Sequence, residues 1–325
     1  MKRVFLLICT ILCANVLMAQ EQLATLKHND SIRVYYGTDA FIQAYNAATH
    51  GDVITLSDGT FNAPGSVRKG ITLRGNGAWD DTSRNAMGTY FLDQFSVNNL
   101  GDSLQFSAEG IYFQSFEVSN NGSNIARNIK FTRCYIYSCR SYGGIQAVNC
   151  VMPGCWGSSS HRNIYTNCVL YAIPEYSTCN NCIMRTHSAS SIDNIVYNSC
   201  IVINKTTATA SLGGSLGIGC VKNCILIGNI TVTSSASSGN VAMSISDVFE
   251  NWNGNTVTPD LETYVLKSSV SDTIVGFDGS EVGIFGGLIP FEKWTPTYSV
   301  IKRCNVSNRT TADGKLSVDI EVVTE

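Results

Sequence analysis

From Phe131 onward the apolar positions fall into one short phrase, written six times: an apolar residue, two further positions, a cysteine, then two more apolar residues. It reads Phe131-Thr132-Arg133-Cys134-Tyr135-Ile136, Ala147-Val148-Asn149-Cys150-Val151-Met152 and Tyr165-Thr166-Asn167-Cys168-Val169-Leu170. It continues as Cys179-Asn180-Asn181-Cys182-Ile183-Met184, Tyr197-Asn198-Ser199-Cys200-Ile201-Val202 and Val221-Lys222-Asn223-Cys224-Ile225-Leu226. The cysteines lie 16, 18, 14, 18 and 24 positions apart, which is one supersecondary unit repeated with insertions of varying length. Helix-pair repeats need longer units, and these segments are rich in β-branched and aromatic residues, so each unit is expected to be built of short strands. A strand of a few residues buries its apolar face only when the next unit stacks on it, about 4.8 Å away. Asn149, Asn167, Asn181 and Asn223 stand just before their cysteines, where a left-handed backbone would turn the chain between two strands; Arg133 and Ser199 interrupt the row. The expected fold is all-β: a single-stranded right-handed parallel β-helix with a cysteine ladder inside and an asparagine ladder at one corner.

Strict alternation leaves one column unaccounted for. If the cysteines and Ile136, Met152, Leu170, Met184, Val202 and Leu226 point inward, then Tyr135, Val151, Val169, Ile183, Ile201 and Ile225 point outward. An outward apolar stripe calls for a cover or a partner. The C-terminal segment is the candidate cover within the chain; self-association through the stripe is the alternative, and a tolerated row on an exposed sheet is the third.

Ahead of the repeats, Thr38 to Ala48 has helical periodicity through Phe41, Ala44 and Tyr45, with Thr38 as the expected N-cap and Gly51 beyond the end. Such a helix would cap the first coil. Behind them, Leu316, Val318, Ile320 and Val322 alternate with polar residues, and with the turn at Asp313-Gly314 they predict a closing hairpin with Tyr298 to Val306. Basic Met1-Lys2-Arg3 followed by the apolar run Val4 to Met18 reads as a secretory signal peptide ending at Ala19. The expected organisation is a signal peptide over 1–19, the capped β-helix over 20–295 and the hairpin tail over 296–325, in a secreted protein with no transmembrane segment.

Thr38 to Gly77, with Gly51-Asp52-Val53-Ile54-Thr55-Leu56 and Lys69-Gly70-Ile71-Thr72-Leu73-Arg74-Gly75-Asn76-Gly77, resembles the opening of pectate-lyase-like right-handed β-helix proteins. The Asn-Cys repeats agree, and the resemblance spans roughly Thr38 to Gly287. The tail, notably Asp278-Gly279-Ser280-Glu281-Val282-Gly283-Ile284-Phe285-Gly286-Gly287, resembles the ends of secreted Bacteroidetes β-helix proteins. The resemblance implies the fold; its members include lyases, hydrolases, esterases and adhesins without activity, so it leaves the chemistry open.

Charge narrows the choice. Net charge is −3, yet between Asn121 and Asn240 only Glu175 and Asp193 oppose eight Lys and Arg. A polygalacturonase-like hydrolase needs several converging aspartates, and a calcium-dependent lyase needs a carboxylate cluster. Neither set is present in these coils, so no metal or cofactor is expected, and calcium lacks acidic support. Cys179-x-x-Cys182 has the spacing of a zinc knuckle, but structural zinc gathers four ligands at one point, whereas these cysteines recur once per coil. Stacked thiols are expected, with Cys139 and Cys155 the one pair placed for a disulfide.

What remains is basic and aromatic. Trp156, His161, Arg162, Tyr171, Arg185 and His187 are the candidate residues for binding an acidic polysaccharide or a cell-surface component, cations meeting carboxylates or sulfates and rings stacking on sugars. Arg162, Arg185 and His187 are the catalytic candidates if the chain is a polysaccharide lyase acting on uronates by β-elimination. A structural or adhesive stalk is the third reading. No nucleic-acid partner is expected; the glycine clusters lack the strand-loop-helix setting of nucleotide loops.

Overall fold

The computed structural model describes residues 22–80, 87–98, 100–101, 103–119, 128–141, 144–156, 162–171, 176–186, 195–212, 220–252, 261–291, 299–310 and 316–324. The chain divides into two compact units, Met1–Trp294 and Thr295–Glu325. The smaller unit is an antiparallel hairpin of Ser299–Thr310 with Leu316–Thr324. The larger is a parallel β-solenoid.

Two long ladders run along the solenoid. The first sheet has 11 strands among the described residues and ends in Ile129–Thr132, Ile145–Val148, Asn163–Thr166, Ser177–Asn180, Val196–Asn198 and Cys220–Lys222, all parallel. The second contains Tyr135–Ile136, Val151–Met152, Val169–Leu170, Ile183–Thr186, Ile201–Asn204, Ile225–Ile227 and Val241–Met243, again parallel and in register. Each repeat therefore spells one first-sheet strand, a corner and one second-sheet strand. In the early coils the long strands Thr89–Asn98 and Tyr112–Ser119 carry the second sheet round into a further face, continued by Ser138–Ser141 and Gly154–Trp156.

The corner explains the sequence phrase. Arg133, Asn149, Asn167, Asn181, Ser199 and Asn223 all have φ between 49° and 53°, and Gly110 and Gly239 extend the column at 63° and 70°. Asparagine suits this conformation because its short polar side chain tolerates it; for other L-residues it costs about 1–2 kcal/mol. Arg133 nonetheless adopts it, with its guanidinium paired to Glu109 on the preceding rung.

Hydrogen bonding at the corner accounts for the cysteine. The corner N–H of Asn149 donates to Thr166 O on the next rung, and the N–H of Val151 donates to Cys134 O on the rung before. The amide between them has no ladder partner, and a buried amide must find one. Cys150 N–H takes the Sγ of Cys168 at 3.5 Å; Cys134, Cys182 and Cys200 do the same with Cys150, Cys200 and Cys224. Each thiol in turn points its hydrogen at a carbonyl two residues back, as Cys168 does to Thr166 O at 3.2 Å. The last cysteine, Cys224, donates its N–H to Asn240 Oδ1 at 3.0 Å, so an amide oxygen ends the column. Cysteine is thus the small apolar residue that is also a weak donor and acceptor. The ten cysteines from Cys134 to Cys224 are free thiols; Cys139 and Cys155 are in register on adjacent rungs without a disulfide.

The core changes composition along its axis. Phe91, Phe95, Phe106, Phe113, Phe116 and Phe131 interlock in the early coils, with Phe95–Phe116 and Phe91–Phe113 stacked at 5.6 and 5.6 Å. Thiols, methionines and two buried tyrosines, Tyr165 and Tyr197, fill the later ones. A helix at Ala40–Ala47 buries Ala40, Phe41, Ala44 and Tyr45 against the first coils. Its N-cap is Asp39 rather than Thr38, and the Asp39 carboxylate accepts from Asn62 Nδ2 at 2.7 Å instead of capping the helix.

The outward stripe is covered from within the chain. Val151, Val169, Ile183, Ile201 and Ile225 are buried against Val248, Phe249, Tyr264, Leu266, Val270, Val282, Ile284 and Phe291. Self-association through this stripe is therefore corrected: the surface is occupied. The last part of the cover runs back along the corner column, and the corner side chains hold it. Phe277 N–H donates to Ser199 Oγ, Asn181 Nδ2 donates to Glu281 O, Asn167 Nδ2 to Ile284 O and Gly286 O, and Asn149 Nδ2 to Pro290 O. Glycine is required in this strap. A Cβ at Gly283, which has φ of 90°, would lie 2.8 Å from Ile201 Cδ1, and one at Gly286 would lie 1.6 Å from Glu281 O.

Candidate functional site

The cover leaves part of the outer face of the second sheet open, and the aromatic residues gather there. Tyr90, Tyr112 and Tyr135 occupy successive rungs of the outward column, with ring centroids 5.5 and 5.1 Å apart, the second pair nearly parallel. Trp79 closes one end edge-on to Tyr135 at 5.4 Å. Period-two alternation places Tyr137 on the same side, 51% exposed, because Ile136 between them turns into the core. Stacking identical positions a rung apart brings rings to van der Waals contact with no loop required.

Beyond Tyr137 the strip acquires polar groups. Glu117, Arg140 and Trp156 are in register on three adjacent rungs. Arg140 Nη1 lies 4.0 Å from Glu117 Oε1, and Gln94 Nε2 also donates to Glu117. Trp156 is 53% exposed. Its ring lies over Gly154, where a Cβ would meet Cζ3 of the indole at 2.9 Å. The missing side chain makes room for the edge of the indole against Gly154.

Burial raises the phenols of Tyr112 and Tyr135 above their ordinary value. Tyr135 is pushed up to about 12, chiefly by burial and secondarily by Tyr112 and Tyr137. Tyr112 is raised by burial and then by Tyr137. Tyr112 donates its hydroxyl to Gln114 Oε1 at 2.6 Å, which fixes the amide at the rim. Rings, a carboxamide, a guanidinium and a carboxylate thus share one surface, the set that grips sugar faces and hydroxyls.

The residues expected to form one groove are spread over three places. Trp156 belongs to the aromatic strip. Arg185, in Ile183–Thr186 of the second sheet, sets its guanidinium 5.1 Å from the ring centroid of Tyr171, its neighbour one rung back. Near it lies Lys205, whose pKa is lowered by burial and then by Arg185; its ammonium is 4.9 Å from the ring of Trp252. Arg162 stands before the first-sheet strand Asn163–Thr166 and donates to Thr178 Oγ1 at 3.0 Å, on a different sheet from Arg185. His161 and His187 lie outside the described residues, as do Glu175 and Asp193. Among the described residues no group of three or more His, Cys, Asp or Glu side chains comes together to hold a metal ion.

Sequence reasoning passed over Tyr90, Tyr112, Tyr135, Tyr137 and Gln114 as members of one surface. The alternating Tyr135-Ile136-Tyr137 was the available signal; the stacking of Tyr90 and Tyr112 on it depends on register across insertions of unequal length. No described helix is long and apolar enough to cross a membrane. Comparison of the chain with family models, curated proteins and solved structures finds no match.

Proposed function

We propose that this chain is an exported β-solenoid that binds a glycan across the aromatic strip, with Trp156 and Tyr137 as stacking platforms and Arg140 as the contact for a carboxylate or sulfate on the sugar. The observation that carries the reading is the indole of Trp156, its edge packed against Gly154 beside an arginine and left half in solvent. A large ring held this way is costly to expose and is supported by its neighbours rather than buried by them. The apolar leader at residues 4–18 and the resemblance to pectate-lyase-like proteins of Bacteroidetes support export and a polysaccharide ligand. Affinity electrophoresis on polygalacturonate, alginate, chondroitin sulfate and a neutral glucan tests it. Retardation by an acidic glycan that Trp156→Ala removes is the expected result; equal mobility of both chains on every glycan overturns the reading.

A second reading rests on Lys205. An amine whose pKa is lowered by burial and by Arg185, next to that guanidinium, has the parts for proton abstraction beside a uronate carboxylate. Ultraviolet detection of unsaturated uronate products, lost in Lys205→Met, would support a lyase. Absence of product on all uronate polymers removes it.

A further inference from the structure

The first sheet begins with an open edge. Its outermost strand, Ser31–Tyr36, pairs antiparallel with Leu23–His28 through the turn at Asn29, and among the described residues nothing pairs with its other side. The pairs His28↔Ser31 and Gln22↔Gly37 bracket the hairpin, and Gly37 N–H donates to Gln22 O at 2.8 Å. Antiparallel ladders alternate, so the odd-numbered residues of this strand bond inward. The N–H and C=O of Ile32, Val34 and Tyr36 therefore point out of the sheet edge. The same three side chains are exposed, by 67%, 42% and 57%.

Exposed edges are ordinarily blunted by lysine, proline, a bulge or an inward charge. Ser31–Tyr36 contains no lysine or proline, and its pairing runs through six residues without a register shift. Its only charge is Arg33. The strand is also complementary to itself. Antiparallel pairing of two copies about Val34 sets Val34 opposite Val34, Ile32 opposite Tyr36 and Arg33 opposite Tyr35. All three outward amides and carbonyls then meet partners, the cation faces a ring, and no like charges are opposed. A register centred on Arg33 would instead oppose two guanidinium groups.

We propose that two copies of this chain pair edge to edge through Ser31–Tyr36, in an antiparallel two-fold register centred on Val34, joining two solenoids at their N-terminal coils. The interface is isologous, as a two-fold dimer requires. It is separate from the stripe that the C-terminal strap covers and from the aromatic strip, so it stands or falls independently of glycan binding.

Sedimentation velocity over a concentration series tests the pairing. The purified chain is expected to dimerise. Val34→Asp, which opposes two carboxylates at the centre, and Val34→Pro, which removes the central outward N–H, are each expected to weaken the dimer by about tenfold or more. Circular dichroism and melting temperature check that both variants keep the fold. Val34→Cys is expected to cross-link to itself under added oxidised glutathione, whereas Ile32→Cys, opposite Tyr36, is not. A chain that stays monomeric overturns the proposal. So does a dimer indifferent to all substitutions at Val34, which would place its contact elsewhere, such as the C-terminal hairpin.

Discussion

Asn167 donates from its side-chain amide to the carbonyl oxygen of Gly286 at 2.7 Å, across 119 positions of sequence. The same amide reaches Ile284 O at 2.8 Å. One residue therefore does two jobs: its backbone turns the corner between the sheets, and its side chain fastens the strap that covers the second sheet. Losing the amide takes this donor from the buried Gly286 O, while Ile284 O keeps the backbone N–H of Phe291 at 2.7 Å.

Asn167→Ala is expected to destabilise the chain by about 2–4 kcal/mol, combining left-handed backbone strain with the lost buried hydrogen bonds. Asn167→Gly retains the backbone freedom and loses only the clamp, so it should recover about 1 kcal/mol of that loss. Urea unfolding of the three chains measures both quantities. Equal stability of the Ala and Gly variants would mean the φ of this corner carries no cost.

Gly286→Ala acts on the strap and on the Asn181 side chain that holds it, without changing a residue of the coils. Its Cβ has no room against Glu281 O, so the strap must lift and uncover Ile183 and Ile201. The expected result is increased binding of a hydrophobic dye and faster amide exchange over 277–291, with exchange in the inner ladders unchanged. Loss of protection throughout the solenoid would show that the strap and the coils unfold as one unit.

The thiol column makes stability sensitive to alkali. Burial raises the thiols of Cys150, Cys168 and Cys200 well above their ordinary value, so the folded chain holds protons that the unfolded chain releases. A raised folded pKa contributes stability that is complete below the unfolded thiol pKa and is lost as pH rises through the folded one. Above about pH 9 each such thiol should cost about 1.4 kcal/mol per pH unit. A steep fall in melting temperature above pH 9 is expected, together with resistance of these cysteines to iodoacetamide until the chain unfolds. Flat stability from pH 8 to pH 11 would contradict the buried column.

Gly154→Val tests the aromatic strip without removing a ring. A branched side chain at this position collides with the indole of Trp156 and lifts it off the sheet. Glycan affinity should fall about tenfold, comparable to a lost stacking contact at a binding centre. Fluorescence of the variant should shift as the indole changes its exposure, and the melting temperature should change little. Unaltered affinity with a displaced indole would remove Trp156 from the binding surface.

Much of this architecture was legible before any coordinates. The Asn-Cys phrase marked the corner, the outward stripe offered a cover from the C-terminal segment as one of three readings, and the alternation of Leu316, Val318, Ile320 and Val322 marked the C-terminal hairpin. These are short-range patterns, set by backbone conformation and by the two-residue period of a strand. The hairpin of Leu23–His28 with Ser31–Tyr36 was not read, because its polar and apolar residues alternate without a buried face on the outer strand.

The candidate site was less legible, for a physical reason. Coils of unequal length carry the same rung geometry, so distance along the chain does not report height along the axis. Arg162 and Arg185 share chemistry but stand on different sheets, while Glu117, Arg140 and Trp156, far apart in sequence, are direct neighbours. Residue type and local period determined which positions turn, which face inward and which must be covered. Only the stacking register decided which outward side chains meet, because that register depends on hydrogen bonds between coils rather than on any pattern within one.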